Sequence, residues 1–144
     1  MGNTATQSNV NPGPDLRALA GENLTNMEGR VVRLTHDAGK PELKLPDDVA
    51  DQCPYVLIDG GADGELVTAR RITAVPQFRA ILLGTCNPGD RMTLAGPDGT
   101  HDGKVAALGA VADTYYVFAK AEEAGVAGQL VLMTPHVEGQ VVVV

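Results

Sequence analysis

Gly125-Val126-Ala127-Gly128-Gln129-Leu130-Val131 decides how this chain reads, because a version of it occurs earlier as Gly61-Ala62-Asp63-Gly64-Glu65-Leu66-Val67. In both copies two glycines bracket a turn that releases into an apolar run. In both, a strand-like segment precedes the turn: Tyr55-Val56-Leu57-Ile58 in one half and Tyr115-Tyr116-Val117-Phe118 in the other. Two such runs joined by a glycine-rich turn predict a β-hairpin, and here the prediction is made twice.

Working outward, the strand-like Arg30-Val31-Val32-Arg33-Leu34 runs into Thr35-His36-Asp37-Ala38-Gly39-Lys40, and Arg91-Met92-Thr93-Leu94 is followed by Thr100-His101-Asp102-Gly103-Lys104. Each loop leads to a short apolar segment, Leu43-Lys44-Leu45 or Val105-Ala106-Ala107-Leu108. Loop, tyrosine strand and Gly-x-x-Gly turn thus recur in one order at an offset of about 60 to 65 residues, the mark of an internal repeat. Between the halves, Leu66-Val67-Thr68-Ala69-Arg70-Arg71-Ile72 and Gln77-Phe78-Arg79-Ala80-Ile81-Leu82-Leu83 read as strands. Asn87-Pro88-Gly89-Asp90 reads as a type II turn, with proline fixing the first central φ and glycine permitting the positive second one. The closing Gln140-Val141-Val142-Val143-Val144 reads as a strand buried on both faces or lying against a partner. Residues 47–52 have room for a helical turn. The run 119–124 favours helix by propensity but is hemmed in by strands.

The predicted fold is all-β: a compact β-barrel or β-sandwich of two related hairpin-rich units, with roughly nine or ten strands. Residues 1–22 are expected to form a flexible N-terminal arm, and 23–144 a single β domain of two repeats, about 23–84 and 85–144. The first fifteen residues are Asn, Thr, Ser, Gln, Gly and Pro with almost nothing apolar to offset their ordering entropy. Within the arm, Asp15-Leu16-Arg17-Ala18-Leu19-Ala20 fits one helical turn stopped by Gly21, with Leu16 and Leu19 on one side. Leu16, Arg17 and Leu19 are therefore the candidate partner-binding residues.

Composition bounds the rest. Apolar residues make up 44% of the 144 but aromatics only 3%, with no Trp, so the core must be built from Val, Leu, Ile and Ala. A net charge of −7 opposes binding to a phosphate backbone, and no basic stripe relieves it, so no nucleic-acid partner is expected. No apolar run approaches the roughly 20 residues of a membrane helix, so no membrane partner is expected either. Cys53 and Cys86 read as free thiols.

Chemical motifs are weak. His36, Asp37, His101 and Asp102 would make a metal set if the two loops converged, the basis of a rival reading as a small β-barrel enzyme or metal-dependent carbohydrate-binding module. Aspartate and glycine in those loops are equally what tight turns require. The stretch 59–70 departs from a calcium loop at its third and twelfth positions, Gly61 and Arg70. Residues 99–104 lack the spacing and hydroxyl of a phosphate loop. Neither cysteine has a nucleophile's context, and Glu122-Glu123 and Asp47-Asp48 read as solvated pairs. The opening Met1-Gly2-Asn3-Thr4-Ala5-Thr6 matches the N-myristoylation pattern loosely, and Asn23-Leu24-Thr25 is a glycosylation sequon in form only. No cofactor, metal or catalytic residue is assigned.

From Gly21 to Val144 the pattern resembles the capsid decoration, or head cement, proteins of tailed bacteriophages. The resemblance is carried by Gly89-Asp90-Arg91-Met92-Thr93-Leu94, Asp102-Gly103-Lys104-Val105, Thr114 through Gly125 with its Tyr-Tyr-Val-Phe core, and Gly128-Gln129-Leu130-Val131. It implies a non-enzymatic virion protein, made in the host cytoplasm and seated on the outer surface of an icosahedral head. There it would bind the major capsid protein, bridge neighbouring subunits and associate with itself, commonly as a homotrimer. The two-unit pattern departs from many such proteins, which have one unit.

Overall fold

The computed structural model describes residues 13–144. Their regular elements are ten strands and one short 3-10 turn: β1 (Asp15–Ala20), β2 (Val31–Asp37), β3 (Lys40–Lys44), β4 (Tyr55–Asp59), β5 (Leu66–Arg71), the turn Ile72–Ala74, β6 (Phe78–Ile81), β7 (Arg91–Leu94), β8 (Val105–Ala107), β9 (Asp113–Ala121) and β10 (Leu130–Val143). The strands form two five-stranded, barrel-like units. The first closes in the order β1-β3-β2-β4-β5; the second is ordered β6-β10-β9-β7-β8.

Read from its other end, the second order, β8-β7-β9-β10-β6, runs parallel to β3-β2-β4-β5-β1. The pairing senses match as well: β2–β3, β2–β4, β4–β5 and β5–β1 are antiparallel, and so are β7–β8, β7–β9, β9–β10 and β10–β6. Closure differs in degree. β1 and β3 pair in parallel through Leu19↔Glu42 and Ala20↔Leu43, whereas the second unit has a single parallel bridge, Leu82↔Val105.

The two Gly-x-x-Gly turns make the same bonds. Glu65 N–H donates to the Ala62 carbonyl at 3.0 Å and Gln129 N–H to that of Val126 at 3.2 Å. Each turn is braced by its own side chain, Glu65 Oε1 accepting from Ala62 N–H and Gln129 Oε1 from Val126 N–H. Gly64 N–H reaches the Ala20 carbonyl at the end of β1, and Gly128 N–H reaches that of Leu82 just beyond β6, both at 2.8 Å. The second glycine of each turn has a positive φ, +85° at Gly64 and +87° at Gly128, a conformation that a Cβ makes costly.

Two expectations fail at the N-terminal side. Asp15–Ala20 is strand β1 rather than a helical turn in an arm, so residues expected in the arm are part of the first unit's sheet. Leu16 and Leu19 do not share a face: Ala18 and Ala20 are buried, Leu16 packs on the same cluster, and Arg17 is exposed. That is the period of two of a strand, supplied by backbone pairing to β5 and β3 that the hexapeptide alone does not reveal. Of the expected arm, residues 1–12 lie outside the described residues, as does the myristoylation match. Residues 47–52 form bends and a turn instead of helix, with Asp51 accepting from the N–H groups of Asp47 and Asp48. The run 119–124 continues strand β9 as far as Ala121.

One apolar cluster spans both units, joining Val31, Val56 and Ile72 of the first to Phe78, Met92, Phe118 and Met133 of the second. A second cluster fills the first barrel around Leu24, Val32, Leu43 and Leu57. Phe118 anchors the shared core, with its ring 5.5 Å from Tyr116 and 6.4 Å from Phe78. The register of β9 slips at Phe118 toward both neighbours. Thr93, buried nearby, donates its hydroxyl to the Tyr116 carbonyl at 2.9 Å and so satisfies a group on β9's β7-facing side.

Candidate interaction surface

The second His-Asp loop is part of the junction between the units. Gly103, with φ +83°, brings its carbonyl to 2.7 Å from Val31 N–H. Arg30 Nη1 donates to the carbonyls of Thr100 and Asp102, both at 3.0 Å. His101 Nδ1 lies 2.7 Å from Asp98 Oδ2, and that bond, with the Thr100 and His101 N–H groups, holds the Asp98 carboxyl well below the usual range. His36 lies on β2 opposite Pro41, and Asp37 opposite Lys40. The four residues of the rival metal reading are therefore not gathered: among the described residues no group of three or more His, Cys, Asp or Glu side chains is placed to hold a metal ion.

The remaining candidates are explained by packing. Cys53 and Cys86 are buried free thiols. Burial, reinforced by the Asp51 charge, pushes Cys53 up to about 12, and burial raises Cys86 as well, the opposite of an activated nucleophile. Glu123 Oε1 accepts from Arg79 Nη1 at 2.7 Å and from Leu132 N–H at 3.0 Å, so this pair member ties the turn after β9 to β6 and β10. Arg70 is held by Asp15 at 2.8 Å, and Arg71 lies over the Tyr55 ring.

Of the three partner-binding candidates, Leu16 faces the barrel core, whereas Arg17 and Leu19 are on its outer face, Leu19 opposite the exposed Leu66. Sequence reasoning missed that β1 is the counterpart of β6. The signal was present: Leu16-Arg17-Ala18-Leu19 falls in line with Phe78-Arg79-Ala80-Ile81 at the spacing of the other matched features.

Two surfaces remain, of which the sequence singled out only the second. A cleft of about 390 Å³ lies where the units meet, lined by Val56, Leu57, Ile58, Phe78, Leu130 and Leu132, with Glu28, Arg70 and Arg79 around it. Leu130 is 50% exposed there. The other is the C-terminal part of β10. After β6 stops pairing at Met133↔Phe78, the strand continues with β9 alone, through a slip between Pro135 and Gly139, to Val143↔Asp113. Val137 and Val142 are exposed, so of the two readings of the terminal valines, burial on both faces or contact with a partner, the first does not hold. Arg91 braces the slip by a two-pronged bond to Glu138, 2.8 Å on each prong, which lowers the Glu138 carboxyl pKa.

A tandem of two five-stranded barrel-like units, sharing one core and presenting an apolar cleft and a long terminal strand, is thus the class of fold. The chain is similar to the crystal structure of the N base of the head fiber gp8.5 of bacteriophage phi29, with a TM-score of 0.64, 18% sequence identity, and coverage of 85% of this chain and 92% of that one. At that identity the likeness is one of fold. No family model matches the sequence, and no curated protein sequence matches it significantly.

Proposed function

We propose that this chain is a structural protein of a phage virion that binds the outer surface of an icosahedral head and stabilises it by bridging capsid subunits. The observation that carries the reading is the fold likeness to a head-fiber base over nearly the full length of both chains. The decoration-protein pattern in the sequence points the same way. In this reading the protein is not an enzyme, is made in the host cytoplasm, takes the major capsid protein as its partner and associates with itself as a trimer. Arg17 and Leu19, on the outer face of β1, are contact candidates, together with the cleft between the units. Leu16 acts through the barrel wall behind them.

Stabilisation follows from mass action: a protein that binds only the assembled shell raises the free energy needed to disrupt it. Purified protein added to expanded heads that lack it is expected to bind saturably and to raise their disruption temperature. Saturating addition with no binding and no shift sinks the proposal. Arg17→Glu together with Leu19→Asp should weaken binding while leaving the unfolding temperature of the free protein nearly unchanged.

A further inference from the structure

We propose that two copies of this chain join through the outer edge of β10, from Gly139 to Val143, as an antiparallel two-fold strand pair. The first unit supplies the comparison. There β5, the counterpart of β10, is six residues long and paired with β1 along Asp15–Leu19 against Leu66–Arg70. In the second unit β10 is fourteen residues long and β6 covers only Leu130 to Met133. Among the described residues, nothing hydrogen-bonds the rest of that edge.

The direction of the free backbone groups follows from the ladder. Tyr116 N–H donates to the Val49 carbonyl and the Tyr116 carbonyl accepts from Thr93, both on the side of β9 away from β10. Tyr116↔Gln140 is therefore a non-hydrogen-bonded pair of the β9–β10 ladder. The N–H and C=O of Gln140, and by the period of two those of Val142, point outward into the open edge.

The edge is blunted on one side only. At Pro135, whose partner Ala119 lies two residues from Ala121, a group bonded toward β7, the missing N–H would have faced outward; residues 136–138 leave the ladder in the slip. These are the devices by which exposed edges avoid pairing. Beyond Gly139 neither is present: the sequence is Gly139-Gln140-Val141-Val142-Val143, with no charge. Along the strand the nearest charge, Glu138, is paired with Arg91, and Asp113, opposite Val143, stands on β9, on the side of β10 away from the open edge. No charged residue of β10 itself therefore opposes the meeting of two edges between Gly139 and Val143.

This edge is complementary to itself. With the two-fold axis at Val141, Gln140 of one copy faces Val142 of the other, and both present outward groups. Each of the two pairs exchanges two hydrogen bonds, and the two Val141 residues face each other at the non-hydrogen-bonded position between them. Such an isologous contact closes on two copies and leaves no edge open for a third. It is separate from any threefold contact and does not require a head.

Sedimentation equilibrium over a wide concentration range is expected to reveal a reversible doubling of mass, from the 15.0 kDa chain to a dimer or, where the threefold contact also forms off the head, from trimer to hexamer. Val142→Pro, which removes an outward N–H without touching the β9 ladder, should weaken that pairing at least tenfold with circular dichroism unchanged. Independently, Val141→Cys should form a disulfide-linked dimer under mild oxidation, because directly opposed non-hydrogen-bonded residues have Cα atoms about 4.5 Å apart. Val142→Cys, displaced from its own copy across the axis, should not. A protein that stays monomeric throughout, a trimer indifferent to Val142→Pro, or equal cross-linking at 141 and 142 each overturns the proposal. If deletion of residues 1–12 converts such a monomer to dimers, that segment is the occupant of the edge instead.

Discussion

Gly103 is where the two units approach most closely through backbone, and replacing it tests whether the junction is as tight as the structure makes it. A Cβ on Gly103 would lie 2.7 Å from the Val31 carbonyl oxygen, a contact with backbone that no side-chain rotation relieves, and φ is +83°. Holding alanine at such a φ costs roughly 1–2 kcal/mol. Moving the loop away strains the Val31 N–H bond to the Gly103 carbonyl, for about 1 kcal/mol more. Against this, alanine lowers the entropy of the unfolded chain by about 0.4–1 kcal/mol. The net is a destabilisation of about 2 kcal/mol, or roughly 4–8 °C in Tm for a chain of this size. Gly99 is the internal control: it has φ +81° in the same loop, but nothing lies within 4 Å of its would-be Cβ. Gly99→Ala should therefore cost about 1 kcal/mol or less. Urea unfolding of both variants, at unchanged m-value, measures the difference. If the two cost the same within about 0.5 kcal/mol, the close approach contributes nothing and the junction is looser than argued.

Cys53 should resist a thiol reagent at pH 8 in the folded protein and react once urea unfolds it, because burial holds its thiol up at about 12; rapid labelling of native protein would contradict its place in the core. Glu138 is held below its ordinary value by Arg91, so the contribution of that pair is present above the ordinary glutamate pKa and is lost as pH falls through the lowered one. Glu138→Gln should accordingly flatten the acid limb of a stability-versus-pH curve, and an unchanged limb would remove the pair from the account. Saturating zinc or calcium should leave Tm unmoved, in wild type and in His36→Ala/His101→Ala alike; a shift that the double variant abolishes would restore the rival metal reading. Phe118→Ala, which empties the centre of the shared core, should cost about 3–5 kcal/mol in urea unfolding, and a loss under 1 kcal/mol would mean the units do not depend on that core.

Much of the fold was legible because its signals are local. A Gly-x-x-Gly turn needs its second glycine for a positive φ wherever it occurs, so Gly64 and Gly128 announce their hairpins without reference to the rest of the chain. Asn87-Pro88-Gly89-Asp90 does the same, with Gly89 at φ +88° and Asp90 N–H closing on the Asn87 carbonyl at 3.1 Å. The alternating and tyrosine-bearing runs needed only the period of two. The order of these signals, found twice, also fixed the kind of fold.

What sequence alone left open are matters of partnership between distant segments. Asp15–Ala20 carries leucines three apart and two alanines, a pattern that helix and strand both accept; only pairing with β5 and β3 makes it the strand that closes the first barrel. The two His-Asp loops look alike as sequence, but one ends a hairpin beside Ala38 and Gly39 while the other is drawn against Arg30 and Val31 by the packing of the units. The terminal valines announce a strand, yet whether their edge is covered depends on where β6 stops, and that is set by a neighbour some fifty residues away. Local backbone chemistry thus determined the turns and strands of this protein. The closure of its first barrel, the junction between its units and the open edge of β10 were decided only by tertiary structure, because each depends on which distant backbone groups find one another.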